Sequence, residues 1–159
     1  MHQRISSLAR LATLLAACVA APANAEELTN DTWPQWRGPH RNGSLVSTTL
    51  PDDLASMKQV WKVDLSPSYS GPIVSSDYVF VTETEGKDVE VVRDLDRKTG
   101  KEIWNHQWEG TMSVPFFAKS NGDWIRATPA FDGERLYVAG IRDVLVCLDA
   151  KTGKEHWIS

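Results

Sequence analysis

A ten-residue phrase occurs twice in this chain and limits the folds it can enter. Leu95-Asp96-Arg97-Lys98-Thr99-Gly100-Lys101-Glu102-Ile103-Trp104 returns as Leu148-Asp149-Ala150-Lys151-Thr152-Gly153-Lys154-Glu155-His156-Trp157, fifty-three residues later and with only two differences. A partial third copy, Lys58-Gln59-Val60-Trp61, aligns on its tryptophan. Upstream of each full copy lies a second shared element. It reads Pro72-Ile73-Val74 then Val79-Phe80-Val81, and Pro129-Ala130-Phe131 then Leu136-Tyr137-Val138. A repeat of this period marks one supersecondary unit that cannot bury its apolar surface alone and must stack on its neighbours.

Each unit reads as four short strands. In the second unit these are expected at 128–131, 135–139, 143–148 and 155–158, with turns at Asp132-Gly133-Glu134, at Gly140 and at 149–153. In that last turn Gly153 can take the positive φ that closes a hairpin with a bulge. The Asp149 carboxylate can accept a backbone N–H one or two residues on. Val144-Leu145-Val146-Cys147-Leu148 is apolar throughout, as a strand buried on both faces would be. Extra residues between Glu83 and Lys87 and after Trp104 account for the uneven spacing of the copies. Four-stranded units of this size, covered on both faces, are blades of a β-propeller. The fold class is therefore all-β: an incomplete propeller of about two antiparallel blades plus a stray strand at Lys58–Leu65. A closed ring takes typically four to eight blades, so the chain reads as a truncated, N-terminal piece.

The Asp-x-Lys-Thr-Gly-Lys-Glu-x-Trp phrase resembles the tryptophan-docking repeat of the pyrroloquinoline quinone (PQQ)-like propellers. That superfamily holds quinoprotein dehydrogenases and non-catalytic envelope proteins such as the BamB-type assembly factor. Trp33-Pro34-Gln35-Trp36-Arg37-Gly38-Pro39-His40-Arg41-Asn42-Gly43 is similar to an N-terminal motif of exported members. The resemblance covers nearly all of residues 32–159. It implies fold more than function, because one superfold hosts many activities. On this division, 26–56 is an N-terminal extension carrying the Trp-Pro-Gln-Trp-Arg-Gly-Pro motif and 57–159 carries the blades.

The N-terminus reads as an export signal. Arg4 and Arg10 precede an uncharged apolar run from Leu11 to Ala23, shorter than the roughly 20 residues that cross a hydrocarbon core. Ala23-Asn24-Ala25 supplies a cleavage site, so 1–25 is a signal peptide cut after Ala25 and the product is exported to the periplasm or cell envelope. Leu15-Ala16-Ala17-Cys18 offers the alternative of a lipoprotein acylated at Cys18, and only that route brings a membrane into play. Formal net charge is −4, and no clustered basic face points to nucleic acid. Past Cys18 the one cysteine is Cys147, so no intrachain disulfide follows from the mature sequence.

Chemistry-bearing residues are few. Trp61, Asp96, Gly100, Trp104, Asp149, Gly153 and Trp157 form the structural repeat signature, the tryptophans packing on adjoining blades. The Thr-Gly-Lys triplets lack the Gly-x-x-x-x-Gly-Lys-Ser/Thr pattern of a phosphate loop. His40, His106 and His156 show no metal spacing, and no catalytic, cofactor-binding or metal residue is assigned. Phe116, Phe117 and Trp124, on the insertion from Glu109 to Arg126, form a candidate partner-binding loop, with folding back onto the blade as the alternative. Arg37, His40 and Arg41 beside Trp33 and Trp36 can bind an anion or pack as a terminal segment. The leading functional reading is a non-catalytic scaffold with protein partners in the envelope. An exported quinoprotein dehydrogenase, which the resemblance would supply with PQQ and calcium, is one alternative, and a secreted glycan-binding propeller another.

Overall fold

The structure is a computed structural model and describes residues 31–45, 52–110 and 122–159. The expected signal peptide (1–25), Cys18 within it, Phe116 and Phe117 lie outside the described residues.

Two four-stranded antiparallel meanders make up the fold. The first consists of β1 (Ile73–Val74), β2 (Tyr78–Glu85), β3 (Val89–Asp96) and β4 (Glu102–Glu109). The second consists of β5 (Ala130–Phe131), β6 (Arg135–Ala139), β7 (Leu145–Asp149) and β8 (Glu155–Ile158). The extra residues of the first copy lengthen the β2–β3 hairpin without changing the strand order. β7 starts at Leu145 rather than at Asp143, because Asp143 sits in the left-handed region (φ 59°) and belongs to the turn. β5 is likewise shorter than its sequence pattern, beginning at Ala130.

Period-two alternation divides each sheet into two faces. On one face of the first blade, Phe80, Val92, Trp104 and Trp108 point at the second blade. They meet Phe131, Leu136, Val138, Val146, Leu148 and Ala150 in one buried cluster, to which Ile125 also belongs. The opposite face of the first blade carries Val79, Val81 and Leu95, covered by Trp61 and Val63. Residues 58–65 thus lie where a preceding blade would lie. They form no ladder, so the strand expected at Lys58–Leu65 is corrected: its backbone has no partner strand among the described residues. The far face of the second blade is the counterpart of the covered one. Leu145 is 39% exposed there, so β7 is buried on one face only at that position.

Candidate functional site

The repeated phrase builds a turn and a socket. Asp96 Oδ1 accepts hydrogen bonds from the N–H of Lys98 (3.1 Å) and Thr99 (2.7 Å) and from the Thr99 hydroxyl (2.7 Å). Asp149 repeats this with Lys151 (3.2 Å), Thr152 N–H (2.9 Å) and the Thr152 hydroxyl (2.7 Å). The accepted N–H groups therefore lie two and three residues on, one further than the sequence suggested. These bonds, the threonine hydroxyl first, hold both carboxylates below the usual range. Gly100 and Gly153 close the turns at φ 70° and 68°. A β-bulge follows in each hairpin, at Asp94/Leu95 and at Cys147/Leu148.

The turn of one blade receives the tryptophan of the element before it. The Trp104 Nε1–H donates to the Ala150 carbonyl at 3.0 Å, and its ring covers Gly153 so closely that a Cβ there would lie 2.5 Å away. The Trp61 Nε1–H donates to the Arg97 carbonyl at 2.9 Å, its ring covering Gly100 in the same way. Glycine is needed twice over: for the positive φ and for the ring above it. Trp157 has no following turn among the described residues and is 42% exposed, so the packing expected of it is not made here.

Two carboxylates lie buried at the joint between the blades. Glu90 accepts from the Trp108 indole N–H (2.7 Å) and from the Ile141 N–H (3.0 and 3.2 Å), tying β3 and β4 to the β6–β7 turn. Gly140 leaves the room, since a Cβ there would sit 2.5 Å from Glu90 Oε2. Burial pushes the Glu90 carboxyl up, against the opposing effect of those donors. Asp94 is fully buried between Phe80 and Trp104 in the ladder, and neither of its oxygens has a hydrogen-bond partner. The Thr82 hydroxyl on the same face is also unpartnered. Burial, and then the charge of Asp96, push Asp94 up to about 7. Sequence reading missed both; the one available signal was an acidic residue at an inward-facing position of a strand.

On the opposite face of the first blade lies a cleft of 360 Å³ between Val63, Leu65 and Ser66 on one side and Glu83, Arg93 and Glu102 on the other. Arg93 pairs with Glu83, Glu85 and Glu102, and the Ser66 N–H also donates to Glu83, so the one cation of the cleft is fully engaged and the carboxylates remain in excess.

The expected partner-binding loop is only partly described. Trp124 is half-buried and stacks on Tyr69 (centroids 5.3 Å apart), while Arg126 lies 4.9 Å over the Tyr69 ring. The Ile125 N–H donates to the Thr84 hydroxyl (2.9 Å), and the Tyr69 N–H donates to the Ile125 carbonyl (2.9 Å). This end of the insertion folds back on the first blade. His106 and Glu155 approach to 3.3 Å across the blades, and exposed His156 joins no metal-binding group among the described residues. Burial pushes the Cys147 thiol up, which leaves it a packed, unreactive side chain.

Stacked four-stranded blades, each socketing the tryptophan of its predecessor, define a β-propeller, and the described residues make two of its blades. Residues 88–159 match the family described as outer membrane protein assembly factor BamB. The chain is 29% identical over 144 residues to the polyvinylalcohol dehydrogenase of Sphingopyxis sp. (strain 113P3), covering 88% of this chain and 20% of that protein. It is 30% identical over 119 residues to the 1-butanol dehydrogenase (cytochrome c) of Thauera butanivorans, covering 72% of this chain and 16% of that protein. The chain thus spans a fifth or less of the length of these curated relatives. These matches are consistent with a fragment of a PQQ-like repeat propeller.

That family raises the question of a quinone with calcium. The inner strands contribute Ile73, Val74, Ala130 and Phe131, none of which carries an oxygen on its side chain. Among the described residues no group of three or more His, Cys, Asp or Glu is placed to hold a metal ion. Calcium takes six to eight oxygen ligands. The described residues do not fit that group.

Proposed function

We propose that this chain contributes blades to an exported propeller that serves as an interaction scaffold in the cell envelope, with proteins as its partners. The observation that carries this reading is the fate of the signature residues. Asp96, Asp149, Gly100, Gly153, Trp61 and Trp104 are all occupied in making turns and sockets between blades. The match of residues 88–159 to the BamB family supports the same reading. Export with cleavage after Ala25, or acylation at Cys18 in its place, would put the blades in that compartment; the mass of the mature N-terminus separates the two routes.

A second reading has one specific support: both relatives named above are dehydrogenases. Under it, the chain supplies blades of a PQQ-dependent enzyme. Purified chain incubated with PQQ and calcium, then assayed with primary alcohols and a dye acceptor, tests the choice. The scaffold reading expects no dye reduction above the protein-free control. Turnover that depends on both PQQ and calcium would overturn it.

A further inference from the structure

The N-terminal motif is not simply packed away. We infer that residues 33–43 form a rigid cap over the inner strands of both blades, and that its tip, Trp36 with Arg37 and Arg41, binds a carboxylate-rich segment of a partner protein. The inference rests on the scaffold reading above and names the chemistry of the partner.

Two adjacent residues anchor the cap. The Trp33 N–H and C=O exchange hydrogen bonds with Val74 at the end of β1 (2.6 and 2.9 Å). The very next carbonyl, that of Pro34, accepts from the Phe131 N–H of β5 at 2.9 Å. Strands β1 and β5 are edge strands at the same end of their sheets. A loop that bonds to both within one peptide unit marks where the blades converge. At the outer end, β4 reaches the next blade only through side chains such as Trp104 and His106. The cap therefore sits toward the propeller axis.

The cap is held in one shape by its own bonds. Gly38 N–H donates to the Gln35 carbonyl (2.9 Å), Arg41 N–H to the Gly38 carbonyl (3.1 Å) and Gly43 N–H to the Arg37 carbonyl (3.0 Å). Trp33 is half-buried with its ring packed against Gly38, which is the terminal packing the motif suggested. Trp36 is 65% exposed, and the Arg37 guanidinium lies 5.4 Å over its ring. Arg41 Nε donates to Gln35 Oε1 (2.8 Å), leaving its terminal nitrogens free of any carboxylate, and Arg37 makes one 3.4 Å bond to the Asn42 carbonyl. Among the described residues no acidic side chain pairs with either arginine. Arg93 and Arg142, by contrast, are both matched to glutamates.

The backbone adds a separate observation. Arg37 and Arg41 hold φ of 64° and 54°, a left-handed conformation that costs an L-residue with a Cβ but not glycine. The loop holds two guanidiniums in place against that cost. A planar guanidinium pairs with a carboxylate through two parallel N–H···O bonds, and the Trp36 face offers an apolar platform beside it. The rest of the chain is acidic and repels an acidic segment, so it directs one to the tip. Two guanidiniums with no basic stripe beyond them suit a short acidic segment rather than a nucleic acid backbone.

The test is a titration of the full chain with a fluorescein-labelled glutamate-rich peptide, followed by anisotropy. Saturable binding that weakens with added salt is expected. Arg37→Gly combined with Arg41→Gly should weaken it roughly tenfold or more while leaving the melting temperature unchanged or slightly raised. Arg37→Asn, which also accepts the left-handed backbone, should act in the same direction and guards against a folding defect of the double variant. No binding by the parent chain, undiminished binding by the arginine variants, or equal competition by inorganic phosphate would each overturn the assignment. Binding that survives in the variants leaves the scaffold reading standing; only quinone-dependent turnover removes that.

Discussion

Trp104 and Trp157 hold the same place in the same phrase, yet one is buried and the other is 42% exposed. The strands that carry them are built alike, each paired antiparallel to the third strand of its blade with a bulge beside the turn. The difference is what stands beyond. Trp104 faces the 149–153 turn of the next blade, donates to Ala150 and covers Gly153, whereas no such turn faces Trp157 among the described residues. The signature thus works between blades rather than within one, and the stability it supplies depends on the neighbour. A second contrast runs through the same faces. Where the first blade places Asp94 against its neighbour, the second has Cys147, fifty-three residues on in the repeat.

Truncating the two tryptophans separates these roles most sharply. Trp104→Ala removes a buried indole and its hydrogen bond and should cost about 3–5 kcal/mol in urea unfolding. Trp157→Ala should cost under about 1 kcal/mol by the same measurement, as surface substitutions do. Equal losses would mean that the ring stabilises its own blade and that the socket is incidental.

The Asp94/Cys147 contrast predicts a dependence on pH. Asp94 rises from 3.8 to about 7, so the native state keeps a proton that the unfolded chain releases. Its contribution to stability is present in full below about pH 4 and is lost as pH climbs to about 7, above which the loss is complete. At about 1.36 kcal/mol for each pH unit the loss is on the order of 4 kcal/mol. Asp94→Cys installs the residue of the second blade, and its stability should fall less than that of the parent between about pH 5 and about pH 8. Glu90 titrates in the same sense in both proteins, so the difference between their profiles belongs to Asp94. Parallel profiles would show that Asp94 is ionised in the native protein.

The smallest effect is expected at the exposed edge of the joint. Arg142 meets Glu109 at 2.6 Å across the blades, but both side chains are largely exposed. Arg142→Ala should change stability by no more than about 0.5 kcal/mol, because water screens such pairs. A larger loss would mean that the joint depends on its rim as well as on Trp104.

Much of this architecture was legible in the sequence. The repeated phrase, with its glycine at a fixed offset before a tryptophan, carries its own turn chemistry, and the alternating apolar residues on either side set the strands. Those are local consequences of backbone sterics and side-chain period, so they survive without knowledge of the neighbours. What lies on the far side of each sheet was not legible. The strand expected at 58–65 lacks a ladder because pairing needs a second strand, and no local pattern supplies one. The placements of Glu90 and Asp94 were hidden because burial of a carboxylate is decided by what packs over it.

The same division holds for the repeated ten-residue phrase. By itself the sequence determined that Asp96 and Asp149 cap tight turns and that Gly100 and Gly153 take positive φ. Those interactions span only a few residues. Packing between sheets set the rest: Trp61 and Trp104 enter the turn of the blade that follows, and Trp33 is half-buried while Trp36 and Arg37 face outward. These contacts join residues tens of positions apart, and the packing of one sheet on another selects them.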